Sequence, residues 1–333
     1  MNFLKDLQWS ETLEKWLQNV TVFFYMNFLI LWFSFGWPIL IILFIFVPIT
    51  RYPFLLYLGW MYYDRKSVIL GGRSSEWVRR WKIWKYHNDY FPVTLHKTAD
   101  LPPDKNYLIC GFPHGILSTG SFSAFGTHYG GFEKLFPGLT CNIMTLEQHF
   151  SFPIFREYCF LIGALPASAA CLNHFFNKKK KGTALALMVG GAQEAFYSQP
   201  GVYKINLKQR KGFVKIAYKN GASLVPSISF GEPDLYEQVT FSEGSFLKKV
   251  QMQFKKATGV APLIFHGQFG LMPHKKPLNV VVGKPIEVER IDEPSQEQID
   301  DLHSRFIESL EKLFETEKHK YIENAKETNL IID

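Results

Sequence analysis

Tyr107-Leu108-Ile109-Cys110-Gly111-Phe112-Pro113-His114-Gly115 is the stretch on which the reading of this chain turns. The apolar run Tyr107–Gly111 has the length and character of a buried strand. A Gly-Phe-Pro turn follows, then His114, then Gly115, and a helical pattern opens at Ile116. Pro113 and Gly115 fix the turn that presents His114 at the end of the strand. In open α/β sheets, ligands bind at the carboxyl ends of strands. A neutral imidazole placed there can take a proton near pH 7, which a hydroxyl needs in order to attack a thioester. The helix start after Gly115 offers backbone N–H groups to an oxyanion or a phosphate. The plain alternative is a histidine merely held in a loop.

Further short apolar runs end in Gly or Pro and read as strands: Leu161–Pro166, Ala184–Gly190, Leu224–Phe230, Leu263–Phe265 and Leu278–Gly283. Helical stretches separate most of them. Ile299, Leu302, Phe306, Leu310, Leu313 and Phe314 form an apolar stripe at helical spacing, and Ser295 with Gln298 fits a capping box at its start. Strands alternating with helices predict an α/β fold, a mixed, largely parallel sheet flanked by helices. There is no internal repeat and no low-complexity tract.

Upstream of this region, positions 16–50 carry no charged residue. One membrane crossing needs roughly 20 apolar residues, so the run exceeds a single span. Pro38 interrupts it and can kink a helix. A second apolar stretch, Tyr52–Tyr63, ends at Asp64-Arg65-Lys66 beside Trp60, Tyr62 and Tyr63, an interfacial belt with charge behind it. A cleavable signal peptide fits poorly, because the run starts late and has no small-residue cleavage site. The pattern predicts an N-terminal membrane hairpin or re-entrant anchor in segment 1–66. A second domain, 67–333, is expected to carry the chemistry on the same side as the N-terminus. The sequon at Asn19 is expected to be unused. Glu76–Tyr90 sets Trp77, Trp81 and Trp84 among Arg79, Arg80, Lys82 and Lys85, the pattern of a helix lying on a membrane.

The 31 Phe, 15 Tyr and 8 Trp suit a protein that meets lipid or buries long apolar ligands. The net charge of +7 suits nucleic acid, an anionic membrane face or a polyanionic substrate such as a CoA thioester. No zinc-finger spacing or nucleic-acid module is present, which leaves the last two. Cys110, Cys141, Cys159 and Cys171 show neither CxxC pairing nor metal spacing and read as reduced thiols, some of them buried.

Three further patterns bear on a site. Val189-Gly190-Gly191-Ala192-Gln193-Glu194 follows a strand, lets backbone approach a ligand, and brings Glu194 to a second strand end, to orient His114 or to hold an acceptor. Its plain reading is a turn with an exposed glutamate. Lys208-Gln209-Arg210-Lys211-Gly212 is a basic cluster leading into a helix; it suits CoA phosphates or forms a solvated face. Arg156-Glu157-Tyr158 is a binding pair or a structural ion pair. GxSxG, Walker A, GxGxxG and HExxH are absent. His87, His96, His128, His149 and His174 have no ligand-like partners in sequence, so no metal site is expected.

With these motifs in hand, the chain resembles the family of type 2 diacylglycerol acyltransferases and monoacylglycerol acyltransferases, which includes wax-alcohol acyltransferases. The resemblance runs from about Tyr107 to Lys320. The family's His-Pro-His-Gly stands here as Phe112-Pro113-His114-Gly115. Its Arg-Glu-Tyr stands at Arg156–Tyr158, its Gly-Gly-Ala-x-Glu at Gly190–Glu194, its Arg-Lys-Gly-Phe-Val at Arg210–Val214, and its Val-Pro-x-x-x-Phe-Gly-Glu at Val225–Glu232. The resemblance implies a glycerolipid-acyltransferase-like fold. It implies an enzyme of the endoplasmic reticulum membrane, its catalytic domain cytosolic, with the lipid droplet as a second location. The implied partners are acyl-CoA, a neutral lipid acceptor and the bilayer, not nucleic acid; homo-oligomerisation is left open. Transfer is expected to be direct, with acyl-CoA as co-substrate and no metal or cofactor. His114 is the implied base and Glu194 its catalytic companion. Phe112, Pro113, Gly115, Arg156, Glu157, Gly190, Gly191, Arg210, Lys211 and Glu232 are the implied substrate-binding residues. Diacylglycerol is the favoured acceptor, with monoacylglycerol or a long-chain alcohol as alternatives. A non-catalytic lipid-binding membrane protein that kept the fold is the rival reading.

Two positions depart from related patterns. Phe112 replaces the family's first histidine and is expected to line an apolar tunnel. Phospholipid acyltransferases place an orienting Asp five residues after the histidine; that position is Thr119 here. The expectation is that Glu194 orients His114 instead.

Overall fold

A computed structural model of the chain describes residues 2–177, 181–242, 244–258 and 262–333. Among these residues the strands are, in chain order, β1 (Val93–Lys97), β2 (Tyr107–Phe112), β3 (Thr140–Thr145), β4 (Leu165–Pro166), β5 (Thr183–Met188), β6 (Tyr203–Ile205), β7 (Ser223–Phe230), β8 (Glu237–Val239), β9 (Ile264–His266), β10 (Leu278–Val282) and β11 (Leu330–Ile332). Seven form one sheet in the order β1-β10-β7-β2-β5-β3-β4. From β7 to β4 all neighbours run parallel; β10 is antiparallel to β7 and parallel to β1. The expected mixed, largely parallel sheet is therefore present.

β2 lies inside this sheet and is buried along its whole length. Its side chains alternate between two apolar layers. Leu108, Cys110 and Phe112 pack with Phe213, Leu302 and Phe306 on one face; Tyr107 and Ile109 pack with Phe125 and Phe136 on the other. A strand covered on both faces reads as one continuous apolar run, which is why it was visible in sequence. The helix Gln296–Tyr321 begins at the expected capping box, Ser295 with Gln298, and its apolar stripe joins the Phe112 layer.

Some expectations are corrected. Leu161 ends a helix, Phe155–Leu161, so only Leu165–Pro166 of that run is strand. Glu76–Tyr90 is not one surface helix but two short ones, Glu76–Arg79 and Lys82–Tyr90, broken at Arg80-Trp81. Trp84 is buried, its indole N–H donating to the Val78 carbonyl at 2.7 Å, and Arg79 is buried with it. Trp77 and Trp81 stay exposed, edge to face at 4.9 Å. All four cysteines are buried and free.

The N-terminal helix spans Asn2–Phe46. No single helix among the described residues is long and apolar enough to cross a membrane. Glu11–Trp32 and Phe35–Phe46 pass that test together, bent by 66°. The bend sits about one turn before Pro38, which lacks the N–H that would bond the carbonyl four residues back. Val22 and Met26 of the first arm are buried in a cluster with Trp84 and Phe155. The second arm leaves Ile39, Ile42 and Phe46 exposed, and the helix Arg51–Tyr63 follows.

Candidate active site

The parallel strands β7, β2 and β5 stand side by side, with Gly111 paired to Met188 and Phe112 to Ile228. Their carboxyl ends therefore share one edge of the sheet. Three of the motifs leave from that edge: Pro113-His114-Gly115 after β2, Gly190–Glu194 after β5, and Gly231-Glu232 after β7.

Two buried glutamates grip the turn that carries His114. Glu194 Oε2 accepts the His114 backbone N–H at 2.7 Å, and Oε1 accepts the Asn206 N–H at 2.9 Å. Glu232 accepts the N–H groups of Thr119 and Gly120 at 2.8 and 2.6 Å, placing a carboxyl at the start of the helix Thr119–Phe125. Between them, the His114 carbonyl accepts both the N–H and the hydroxyl of Ser118. Gly115 has a φ of +59°, and a Cβ there would run into the Glu232 side chain. A Cβ at Gly190 would run into Glu194. These two glycines are therefore required by close approach as much as by backbone freedom.

The imidazole is oriented from within the turn. His114 Nδ1 lies 3.1 Å from the Gly115 carbonyl oxygen. A carbonyl only accepts, so Nδ1 carries the proton and Nε2 keeps its lone pair. Burial holds the His114 pKa below the ordinary histidine value, so the ring is neutral at pH 7. Glu194 thus holds the backbone of His114 and does not touch its ring. Burial also raises both glutamates, Glu194 to about 8 and Glu232 to about 7, against the lowering effect of the backbone N–H bonds.

His114 opens into a cavity of about 820 Å³. Its walls are apolar: Leu29 and Ile30 of the N-terminal helix, Phe122, Phe155, and Val250 and Phe254 of the helix Phe246–Thr258. Gly191 and Ala192 also line it, so the glycine-rich turn after β5 meets the cavity directly.

A family model described as "Diacylglycerol acyltransferase" matches residues 43–333. The chain belongs to the diacylglycerol acyltransferase family. It is 44% identical over 285 residues to 2-acylglycerol O-acyltransferase 1 of Bos taurus, covering 83% of this chain and 85% of that protein. It is 43% identical over 283 residues to diacylglycerol O-acyltransferase 2 of Danio rerio, covering 83% and 78%. Diacylglycerol O-acyltransferase 2-like protein 6 of Homo sapiens is 41% identical over 334 residues, covering 96% and 97%. The solved 1-acyl-sn-glycerophosphate acyltransferase of Thermotoga maritima superposes over 90% of this chain and 97% of its own, with a TM-score of 0.38 and 11% identity, a likeness too slight to bear on the site.

In this family member the remaining motif residues lie elsewhere. Phe112 does not line the cavity. It is buried in the apolar layer around Phe213 and Phe306, 6.3 Å from Phe306 between ring centres. Arg156 is 1% exposed and bonds the carboxylate and carbonyl of Asp64, and Glu157 at 2.8 Å. Arg73 completes the network with Asp64 at 2.7 Å and Glu157 at 2.8 Å. Burial works against the Asp64 carboxylate, but Ser67, Arg73 and Arg156 hold it at about 2. This is the structural ion pair, and it fastens the segment after the second apolar helix to the domain. Lys211 pairs with Asp300 at 2.6 Å. Arg210 stays close enough to Glu194 to lower its pKa.

One cavity residue escaped the sequence reading. His149 follows β3 and lines the same cavity as His114. Nothing at ligand spacing marked it; the only available signal was its place just beyond a strand that itself went unread.

Proposed function

We propose that this chain transfers a fatty acyl group from acyl-CoA to the hydroxyl of diacylglycerol, forming triacylglycerol, with His114 as the base. The observation that carries the reading is His114 itself: a neutral imidazole, its Nδ1 bonded to the Gly115 carbonyl, at the wall of a large apolar cavity. About 820 Å³ lies in the upper part of the usual range for ligand cavities, roughly 300–1,000 Å³. Relatives named diacylglycerol O-acyltransferase and 2-acylglycerol O-acyltransferase support the reaction class.

In this mechanism the acceptor hydroxyl gives its proton to His114 Nε2 as its oxygen attacks the thioester carbonyl. The adduct collapses, the C–S bond breaks, and the CoA thiolate takes the proton from His114. Acyl-CoA is a co-substrate and no cofactor takes part. Of Arg156, Arg210 and Lys211, Arg210 is assigned to the CoA phosphates, since Lys211 and Arg156 are engaged by carboxylates. Glu194, Glu232, Gly115 and Gly190 act by holding the turn. The bent N-terminal pair and the helix Arg51–Tyr63 form the membrane anchor, on the endoplasmic reticulum with the domain facing the cytosol, and bring lipid to a cavity that Tyr25, Leu29 and Ile30 help to line.

Monoacylglycerol is the second reading, favoured by the 2-acylglycerol O-acyltransferase relative at 44% identity against 43% for diacylglycerol O-acyltransferase 2. Membranes containing the chain, supplied with labelled acyl-CoA and a panel of acceptors, decide between them. Triacylglycerol from diacylglycerol is the expected main product. Product from monoacylglycerol alone would move the acceptor, and no product with any acceptor would favour a non-catalytic lipid-binding protein.

A further inference from the structure

The helix Phe246–Thr258 is reversed with respect to the domain it packs on. Surface helices ordinarily bury their apolar stripe and expose their polar side. Here the buried residue is Gln251, whose side-chain amide donates to the Pro262 carbonyl at 2.7 Å, and the half-buried Lys255 donates to the side-chain oxygen of Gln193. Phe246, Leu247, Val250 and Phe254 share one face by helical spacing, and they are exposed by 77, 55, 45 and 50%. Single exposed apolar residues are ordinary, but a contiguous stripe of them marks an interaction surface.

The stripe also belongs to the cavity. Leu247, Val250 and Phe254 line it from the helix, and Ile264, itself 56% exposed, lines it from β9. Residues that face both the cavity and the outside form its rim. Leu29 and Ile30 of the bent N-terminal pair line the same cavity, and Lys275 donates to Gln18 of that pair at 3.1 Å. The rim is therefore continuous with the segment read as the membrane anchor.

Charge selects the partner. No Asp or Glu occurs from Gly244 to Ile286 while seven Lys do, so this stretch alone carries a charge equal to the whole chain's net +7. Lys249 and Lys256 are exposed and stand two turns apart on one side of the helix, bordering the apolar stripe. An apolar stripe bordered by lysines is what a helix lying in an anionic lipid surface presents.

We propose that the helix Phe246–Thr258, with Ile264 of β9, forms a second membrane-contacting surface, seated in an anionic leaflet so that the cavity opens directly into the bilayer. Phe246, Leu247, Val250 and Phe254 enter the boundary of the acyl chains, and Lys249 and Lys256 reach lipid phosphates. A neutral lipid then moves between bilayer and cavity over this rim without crossing water. The lipid traffic rests on the acyl-transfer reading above; the seating of the helix does not, and is measured without turnover.

The test uses the full chain reconstituted into vesicles of phosphatidylcholine with phosphatidylserine. A nitroxide is attached to Phe246→Cys or to Ala257→Cys, three helical turns apart on the same face; the native cysteines are all buried. Either label is expected to relax with dissolved oxygen and to be shielded from a water-soluble nickel chelate. A nitroxide at Glu308→Cys, exposed on the helix Gln296–Tyr321, is expected to behave in the reverse way. Omitting phosphatidylserine, or adding Lys249→Glu and Lys256→Glu, is expected to raise nickel access several-fold. Phe246→Ser, which lies outside the cavity wall, is expected to raise the KM for diacylglycerol held in vesicles several-fold while leaving the acyl-CoA KM unchanged. Nickel access at Phe246→Cys and Ala257→Cys equal to that at Glu308→Cys would overturn the inference. Shielding from oxygen and nickel alike would overturn it too, by placing protein on the stripe, a second copy of the chain included. Labels indifferent both to phosphatidylserine and to the two lysines would overturn the anionic leaflet, and an unchanged diacylglycerol KM in Phe246→Ser would overturn lipid entry over the rim. Oxygen-accessible labels on a chain inactive with every acceptor would overturn the acyl-transfer reading and leave the membrane surface standing.

Discussion

Glu194 Oε2 accepts the backbone N–H of His114 at 2.7 Å, across a separation of 80 residues. The motif after β5 therefore acts on the motif after β2 through the main chain and not through the imidazole. Glu232 repeats the arrangement from the other side at Thr119 and Gly120. His114 is presented by a turn held at both ends.

Removing the first grip should misplace the base. Glu194→Ala leaves the half-buried N–H groups of His114 and Asn206 without their carboxyl partner, each costing at most about 1–3 kcal/mol. A lower melting temperature is expected, together with a fall in kcat of about 10²-fold or more from the loosened turn. Activity and melting measured on the same preparation check this; full activity at a lowered melting temperature would show that the turn does not need the grip.

The two glutamates also set a pH dependence of stability. Their folded pKa values, about 8 for Glu194 and about 7 for Glu232, lie above the unfolded value of roughly 4.3. The folded chain then binds more protons, so their contribution is complete below about 4.3 and is lost as pH rises through 7 and 8. Melting temperature is expected to fall across this window in wild type and to fall less in Glu232→Gln. Asp64, held at about 2, acts in the opposite sense, its contribution fading as pH drops from roughly 4 toward 2.

Catalysis has its own acid limb. His114 must be unprotonated to act, and burial sets its pKa below the ordinary histidine value. The kcat/KM profile is expected to be flat at pH 7 and to fall only on the acid side of the usual histidine range. A half-maximal rate above pH 7 on that limb would exclude His114 as the titrating base.

Arg156 should matter for stability and not for CoA. Arg156→Met leaves the buried Asp64 carboxylate to Ser67 and the more exposed Arg73, and breaking a buried pair costs at most about 3–5 kcal/mol. Thermal melting and the acyl-CoA KM, read together, check it: a large drop in melting with KM little changed is expected.

Restoring the family's histidine at position 112 should bring no gain. Phe112→His puts an imidazole into the apolar layer around Phe213 and Phe306, where burying a polar group without a partner costs about 1–3 kcal/mol. Lower stability with no rise in turnover is the expected result of melting and activity assays.

The central strands were legible because burial on both faces leaves a continuous apolar run, as in Tyr107–Phe112 and Ser223–Phe230. β1 and β3 were not, since polar residues such as the exposed Thr94 and the half-buried Asn142 interrupt their apolar positions. The histidine turn was legible from Pro113 and Gly115. What grips it was not: backbone bonds from Glu194 and Glu232, and the bond from Asp64 to Arg156, join residues far apart in sequence and leave no local pattern. The face taken by Phe112 follows from strand alternation once β2 is known to continue through residue 112. His149 became visible only when β3 was placed beside β5.

The most direct test is acyl transfer by His114→Ala in membranes, with labelled acyl-CoA and diacylglycerol, against wild type inserted to the same level. Loss of turnover by about 10²- to 10⁴-fold, with melting and membrane insertion unchanged, is the expected result. Turnover close to wild type in a folded, inserted His114→Ala would contradict the account.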